Sequence, residues 1–167
     1  MDIALRFYGT VLVVSTMLLL GVASLILFTY FPLQNFWAET IFLFLGLLLF
    51  VSAFHEFCHL VALVVTRNQD IVRGLRVSLR TLGIRYEGEV PAEDVALVYL
   101  SSLLTVPVAS CVFYFLFKRY LLRFLPVELA SQVSILIAAI SIPLTLVAMN
   151  RDDISEWRRL RLAHACV

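Results

Sequence analysis

Two histidines and a carboxylate, His55, Glu56 and His59, lie together in an otherwise apolar stretch of the chain. Apart from this cluster, residues 40–66 contain no charged residue. If the stretch is helical, residues four apart share one face with β-carbons about 5–6 Å apart, so both imidazoles can reach one metal ion. The spacing is H-E-x-x-H, which is typical of zinc hydrolases.

The chemistry that this spacing allows is hydrolysis assisted by zinc. Two neutral imidazoles and one further protein ligand leave a fourth zinc position for water, and the metal lowers the pKa of that water to about 7. Glu56 is the predicted general base, which takes a proton as the water attacks a carbonyl and passes it to the leaving amine. The motif also occurs by chance, but ionisable groups inside a membrane are costly and usually mark function.

A third metal ligand is expected from Asp152 and Asp153, two aspartates that follow the last apolar segment. Asp153 also forms a capping-box pattern with Glu156, three residues later, at the start of a tail helix. If Asp153 caps that helix, Asp152 is free to bind the metal. Cys58 lies about 100° round the helix from His59 and is therefore predicted to be a packing residue.

The composition indicates a membrane protein. Hydrophobic residues make up 62% of the 167 residues and the mean hydropathy is +0.96, whereas soluble globular chains are about 45–50% apolar. The formal net charge of +1 gives no signal for nucleic acid. The three cysteines lack framework spacing, so the sequence does not predict a disulfide scaffold.

Four apolar segments are long enough to cross a hydrocarbon core of about 30 Å. They lie at about residues 10–31, 40–66, 95–117 and 129–150. The sequence therefore predicts an all-α membrane protein with four transmembrane helices in a single domain, residues 1–167. Pro107 and Pro143 fall inside the third and fourth segments, where proline is expected to kink or interrupt a helix.

A polar segment, residues 67–94, separates the second and third apolar segments. Leu75 and Val77 alternate with arginines, and this period of two predicts a strand. A second strand around Ile84 and Tyr86, after a turn near residues 81–83, would complete a β-hairpin at the membrane face. The hairpin edge could pair with an extended substrate, or the segment could be a solvated loop that only stabilises the bundle.

Basic residues are distributed unequally between the two sides of a four-helix arrangement. Ten of the 13 lie on the side that holds both termini and residues 67–94, and three lie on the other side. The positive-inside rule therefore predicts that both termini are cytoplasmic. The second and fourth helices then run in the same direction, and this brings the histidines and the two aspartates to the same side of the membrane.

With these features the chain resembles the site-2 protease group of intramembrane zinc metalloproteases, particularly its small zincin-like members. The resemblance covers most of residues 40–155: His55-Glu56-Phe57-Cys58-His59 late in one helix, a basic β-like segment, an intervening helix and then an aspartate. In that family the aspartate usually lies in an N-P-D-G-like setting, whereas this chain has Asn150-Arg151-Asp152-Asp153-Ile154. The position after the asparagine favours Asp152, and the Asp-Asp-Ile pattern of the small members favours Asp153.

The resemblance implies a zinc ion held by His55, His59 and Asp153, with Asp152 as the alternative third ligand and Glu56 as the base. It also implies a transmembrane or membrane-anchored protein substrate that is cleaved near the membrane surface after its helix has unwound locally. A competing hypothesis is a membrane scaffold or sensor that binds the metal without catalysis.

Overall fold

The computed structural model describes residues 2–30, 36–77, 82–86, 90–91, 93–149, 151, 153–155 and 157–159. Within these residues, four helices are long and apolar enough to cross a membrane, as the sequence predicts. The helices are α1 (Phe7–Tyr30), α2 (Phe36–Val65), α3 (Val95–Leu100), α4 (Thr105–Leu121) and α5 (Val127–Met149). The third crossing consists of α3 and α4 together, joined by a 3₁₀ turn at Ser101–Leu104.

The helices extend beyond the charge-free segments from which the crossings are predicted. α2 begins at Phe36 and includes the buried Glu39 in its first turn, where a carboxylate interacts favourably with the helix dipole. α4 continues to Leu121 through Lys118 and Arg119. The length of a segment without charges indicates the part of the helix that crosses the hydrocarbon core. The helix itself also continues into the polar interface, where charged residues are tolerated.

The two prolines differ in their effect on the helices. The 3₁₀ turn at Ser101–Leu104 lies directly before the turn that contains Pro107. A proline ring clashes with the carbonyl four residues earlier and removes one helical hydrogen bond, so a break at this place is physically expected. In contrast, α5 is one continuous helix through Pro143.

Close approach of α1 and α2 depends on a glycine. A β-carbon at Gly21 would lie 2.7 Å from the backbone nitrogen of Phe50, so a larger residue would force the helices apart. Helix pairs in lipid gain little from hydrophobic burial against each other, because lipid tails are equally apolar, and small residues therefore stabilise them by permitting tight packing.

The polar segment after α2 forms the predicted hairpin, but the sheet has a further strand. β2 (Val72–Val77) and β3 (Leu82–Tyr86) pair antiparallel, and β1 (Asp2–Ala4) pairs with the other edge of β2. Residues 78–81, which include part of the predicted turn, lie outside the described residues. Leu82 and Gly83, expected in that turn, belong to β3.

Gly74 permits the close approach of β1 to β2. Its φ is +147°, and a β-carbon there would lie 2.0 Å from the carbonyl oxygen of Ile3. Leu75 of β2 is fully buried and packs with Val14 of α1 and Leu60 of α2. The sheet is thereby fixed against the last turns of α2, next to the H-E-x-x-H motif.

Candidate metal centre

His55 and His59 lie on one buried face of α2, as their spacing predicts. Their side chains are about 5% and 3% exposed, and their ring centroids are 5.0 Å apart. Asp153 reaches the same place from helical backbone four residues beyond the end of α5. The structure therefore brings Asp153 to two histidines of which the nearer in sequence, His59, is 94 residues away.

The three potential ligand atoms converge closely. Nε2 of His55 and Nε2 of His59 each lie 3.1 Å from Oδ2 of Asp153, and the three atoms all lie within 4.8 Å of one another. Tetrahedral zinc with ligand bonds of about 2.0–2.2 Å places its ligand atoms roughly 3.3 Å apart. The group can therefore hold a metal ion after only small adjustments.

The surrounding hydrogen bonds also fit a metal site. Nδ1 of His59 lies 2.7 Å from the carbonyl oxygen of Val98, so this nitrogen carries the proton that it donates. In neutral His59, Nε2 then keeps its lone pair, which is the form that binds a cation. Without a cation, both ring nitrogens of His59 would have to donate, and this would require a charged imidazolium in a buried site.

α3 and the 3₁₀ turn that follows it each supply one contact that orients the site. Val98 of α3 accepts the hydrogen bond from His59, and Ser102 of the 3₁₀ turn directs its hydroxyl at Asp153. Oγ of Ser102 is fully buried, 2.9 Å from Oδ2 of Asp153 and 3.0 Å from the carbonyl oxygen of Tyr99. Its single proton is better donated to the charged carboxylate, which is the stronger acceptor.

Asp153 carries its negative charge in this environment. Burial alone would raise the pKa of its carboxyl group, but with no cation bound, hydrogen bonds donated by the imidazoles of His55 and His59 outweigh burial and hold the pKa well below its ordinary value of 3.8. Asp153 is therefore already ionised before a cation takes the place of those imidazole protons.

Glu56 lies beside the three potential ligands and is not one of them. Its Oε2 accepts a hydrogen bond of 2.9 Å from the backbone N–H of Ile84 in β3, while its Oε1 is 3.8 Å from Nε2 of His55. The side chain is buried. One carboxylate oxygen is thus fixed by the sheet, and the other faces the ligand cluster, where it can accept a proton.

Of the two aspartates considered in the sequence, Asp153 reaches the cluster and Asp152 lies outside the described residues. Cys58 is buried and does not belong to the cluster. Sequence reasoning missed Val98, Ser102 and the N–H of Ile84. The sequence marks Ser102 only as one of two adjacent serines in an apolar run. It contains no signal for the backbone groups of Val98 and Ile84.

Tyr86 is a further polar group near the site. Burial, the nearby Glu56 carboxylate and Tyr99 raise the pKa of Tyr86 well above its ordinary value of 10. Its ring packs edge-on against Tyr99, which in turn packs edge-on against His59. The phenol of Tyr86 therefore remains protonated. The rings of Tyr86 and Tyr99 together connect the sheet to His59 by aromatic contacts.

Comparisons with family models, with curated proteins and with solved structures give no match to this chain.

Proposed function

We propose that this protein is an intramembrane zinc metalloprotease of the site-2 type, which hydrolyses peptide bonds of membrane-embedded substrates. The observation that carries the proposal is the convergence of His55, His59 and Asp153 on one point, with Glu56 beside them. Among the residues that the structure describes, three side chains converge as potential ligands. A set of three protein ligands matches catalytic zinc sites, which keep one position for water or substrate.

The residues of the chain have separate tasks in this proposal. His55, His59 and Asp153 would hold the metal, which when bound makes water a stronger nucleophile and polarises the scissile carbonyl. Oε1 of Glu56 takes one proton from the water whose oxygen adds to the carbonyl carbon. When the C–N bond breaks, Glu56 returns that proton to the leaving amine, so the residue ends as it began.

The substrate must present an extended peptide bond, because a helical carbonyl is shielded and already hydrogen-bonded. β3 is an edge strand within the described sheet, so strand addition of substrate remains a prediction. However, the N–H of Ile84 is occupied by Glu56, and a paired substrate could not use that donor without releasing the carboxylate.

The proposed orientation places both termini and the sheet in the cytoplasm, because ten basic residues lie on that side. Cysteines introduced singly at Asp70 and at Phe124, in a chain without its own three cysteines, should differ in labelling by a membrane-impermeant maleimide. The reagent added to intact cells should label residue 124 only. Labelling of residue 70 alone would show that the protein has the opposite orientation.

Cleavage is tested with purified protein in lipid nanodiscs together with a panel of single-span reporter proteins tagged at both ends. Wild type should contain about one zinc per chain and release cleaved reporter. Glu56→Gln should retain zinc and lose roughly 10²–10⁴-fold in rate. The matched control is Glu128→Gln, because Glu128 is an exposed carboxylate in the first turn of α5.

The same experiment separates the protease from the metal-binding scaffold or sensor. If Glu56→Gln cleaves the reporters as fast as wild type, Glu56 is not the base. If wild type binds zinc, loses it on His55→Ala and hydrolyses none of the reporters, the scaffold or sensor hypothesis is favoured instead.

A further inference from the structure

Asp153 and the two histidines are carried by helices that make little direct contact. α1 packs closely on α2, which carries both histidines, and α5, which leads to Asp153, packs closely on α4. An open apolar groove separates α2 from α5, and its lining residues Leu48 and Leu144 remain 45% and 63% exposed. A packed interface between α2 and α5 is therefore not what holds the Asp153 carboxylate at the histidines.

The segment after α5 is helical in its described residues, 151, 153–155 and 157–159. Asp153 meets the site through its carboxylate, where Oδ2 lies within hydrogen-bond distance of Nε2 of His59 and of the hydroxyl of Ser102. These contacts fix the carboxylate oxygen, but the direction of the helical backbone behind it depends on a second point of attachment.

Trp157 supplies that second point. Its side chain is partly buried and packs against a hydrophobic cluster where the end of α2, β2 and α3 meet. The buried members of this cluster are Ala62, Leu63, Val72, Val90, Val95 and Val98. Two of them belong to the backbone that also holds the candidate metal centre. Ala62 lies about one helical turn after His59, and the carbonyl oxygen of Val98 accepts the hydrogen bond from Nδ1 of His59.

The spacing of Asp153 and Trp157 places both side chains on one face of the segment. Residues four apart in a helix have β-carbons about 5–6 Å apart, whereas Ser155 and Arg158, at other angles around the same helix, are exposed. Packing of Trp157 on the cluster therefore fixes the rotation of the segment about its own axis. This rotation determines whether Asp153 points at the histidines.

We propose that Trp157 is a positioning residue that holds Asp153 at the histidines, so that packing of Trp157 and binding of a divalent cation stabilise each other. The inference rests on the metal site of the proposed function and does not require cleavage. The alternative is a tryptophan that serves only as an interfacial membrane anchor. Such an anchor would support the fold in general and would have no specific link to Asp153.

Zinc affinity of the purified protein in detergent is measured by competition with a fluorescent chelator. Trp157→Ala should raise the zinc dissociation constant roughly 10–100-fold, the range typical for residues that orient metal ligands, and Trp157→Phe should recover most of the loss. The matched control is Arg158→Ala, because Arg158 is exposed on the same segment. Equal dissociation constants in Trp157→Ala and Arg158→Ala would overturn the proposal.

A double-mutant cycle separates an effect through Asp153 from a general effect on the fold. In an Asp153→Asn background, Trp157→Ala should change the zinc dissociation constant less than about twofold, because the charged ligand that Trp157 positions is already lost. The same fold-change in both backgrounds would show that Trp157 acts on the fold in general and would refute the positioning role.

The coupling must also be visible in the opposite direction, because linkage between two binding events is reciprocal. Trp37→Phe leaves Trp157 as the single tryptophan of the chain, and this measurement needs no substitution at position 157. Zinc should protect Trp157 from quenching by acrylamide, and Asp153→Asn should abolish that protection. Quenching that saturating zinc leaves unchanged would contradict the coupling.

Amide hydrogen exchange of the metal-free protein distinguishes failure of this inference from failure of the proposed function. Trp157→Ala should speed exchange in residues 151–155 roughly tenfold or more relative to Arg158→Ala, because local opening becomes easier. Faster exchange in a protein that binds no zinc would refute the metal site and support the anchoring by Trp157. Zinc binding with exchange and affinity unchanged in Trp157→Ala would refute the positioning role and leave the metal site intact.

Discussion

The backbone N–H of Ile84 donates a hydrogen bond of 2.9 Å to Oε2 of Glu56, and this contact ties the sheet to the predicted base. A hydrogen bond to one oxygen of a carboxylate also fixes the direction in which the other oxygen points. In Glu56 that second oxygen, Oε1, faces Nε2 of His55. The sheet therefore has a positioning role in the candidate site, in addition to packing against the end of α2.

Removal of this donor should reduce cleavage without removing the metal. Ile84→Pro deletes the N–H, and proline is tolerated best on an edge strand such as β3. We expect a loss of roughly 10–100-fold in rate, the range typical for partners that orient a metal site, with zinc content unchanged. The control is Ile84→Val, which keeps the N–H and is close to proline in size. Equal rates in the two variants would show that the hydrogen bond does not matter for cleavage.

The third metal ligand can be identified by comparing two neighbouring aspartates. Asp153→Asn removes the charge that lies 3.1 Å from both imidazoles, so the bound metal should fall from about one per chain to a small fraction. Asp152→Asn should leave the metal content near that of wild type. The measurement is metal analysis of purified protein after dialysis against a weak chelator. Loss of metal in Asp152→Asn alone would reverse the assignment.

Ser102 should matter for metal affinity, while a serine that bonds only within its own helix should not. Ser102 donates to Asp153, whereas Ser131 donates to the carbonyl oxygen of Val127 within α5. Ser102→Ala leaves Asp153 without one of its orienting contacts, and the metal dissociation constant should rise roughly 10–100-fold. Competition with a fluorescent zinc chelator measures this change, with Ser131→Ala as the control. Identical affinities in the two variants would mean that the Ser102 contact is incidental.

Much of the framework of the site could be predicted because it depends on local patterns. The crossings follow from charge-free length, and the shared face of His55 and His59 follows from helical periodicity. The approach of an aspartate follows from the parallel direction of the second and fourth crossings, which brings Asp152 and Asp153 to the side of the histidines but does not choose between them. None of these inferences requires knowledge of which helices touch.

The features that could not be predicted depend on contacts between distant segments. β1 has only three residues, Asp2–Ala4, and forms a strand because β2 offers it an edge. The roles of Val98 and Ile84 belong to backbone groups, which every residue possesses and no sequence pattern distinguishes. Ser102 could equally have bonded only to its own helix, as Ser134 does with Ala130.

Gly74 provides a test of whether β1 is needed to hold the sheet in place. Gly74→Ala would force a residue with a β-carbon into a φ of +147° and against the carbonyl oxygen of Ile3. Backbone strain of this kind costs roughly 1–3 kcal/mol, so thermal unfolding in detergent should occur at a lower temperature. Gly83→Ala is the control, because no atom lies within 4 Å of a β-carbon there.

The effect of Gly74→Ala should also reach the candidate site through the sheet. Detachment of β1 would loosen β2 and then β3, which supplies the N–H of Ile84 to Glu56. Cleavage should therefore decrease more than metal binding, because His55, His59 and Asp153 are held by α2, the third crossing and the segment after α5. A variant that loses metal and activity in equal proportion would instead show that the sheet supports the ligands themselves.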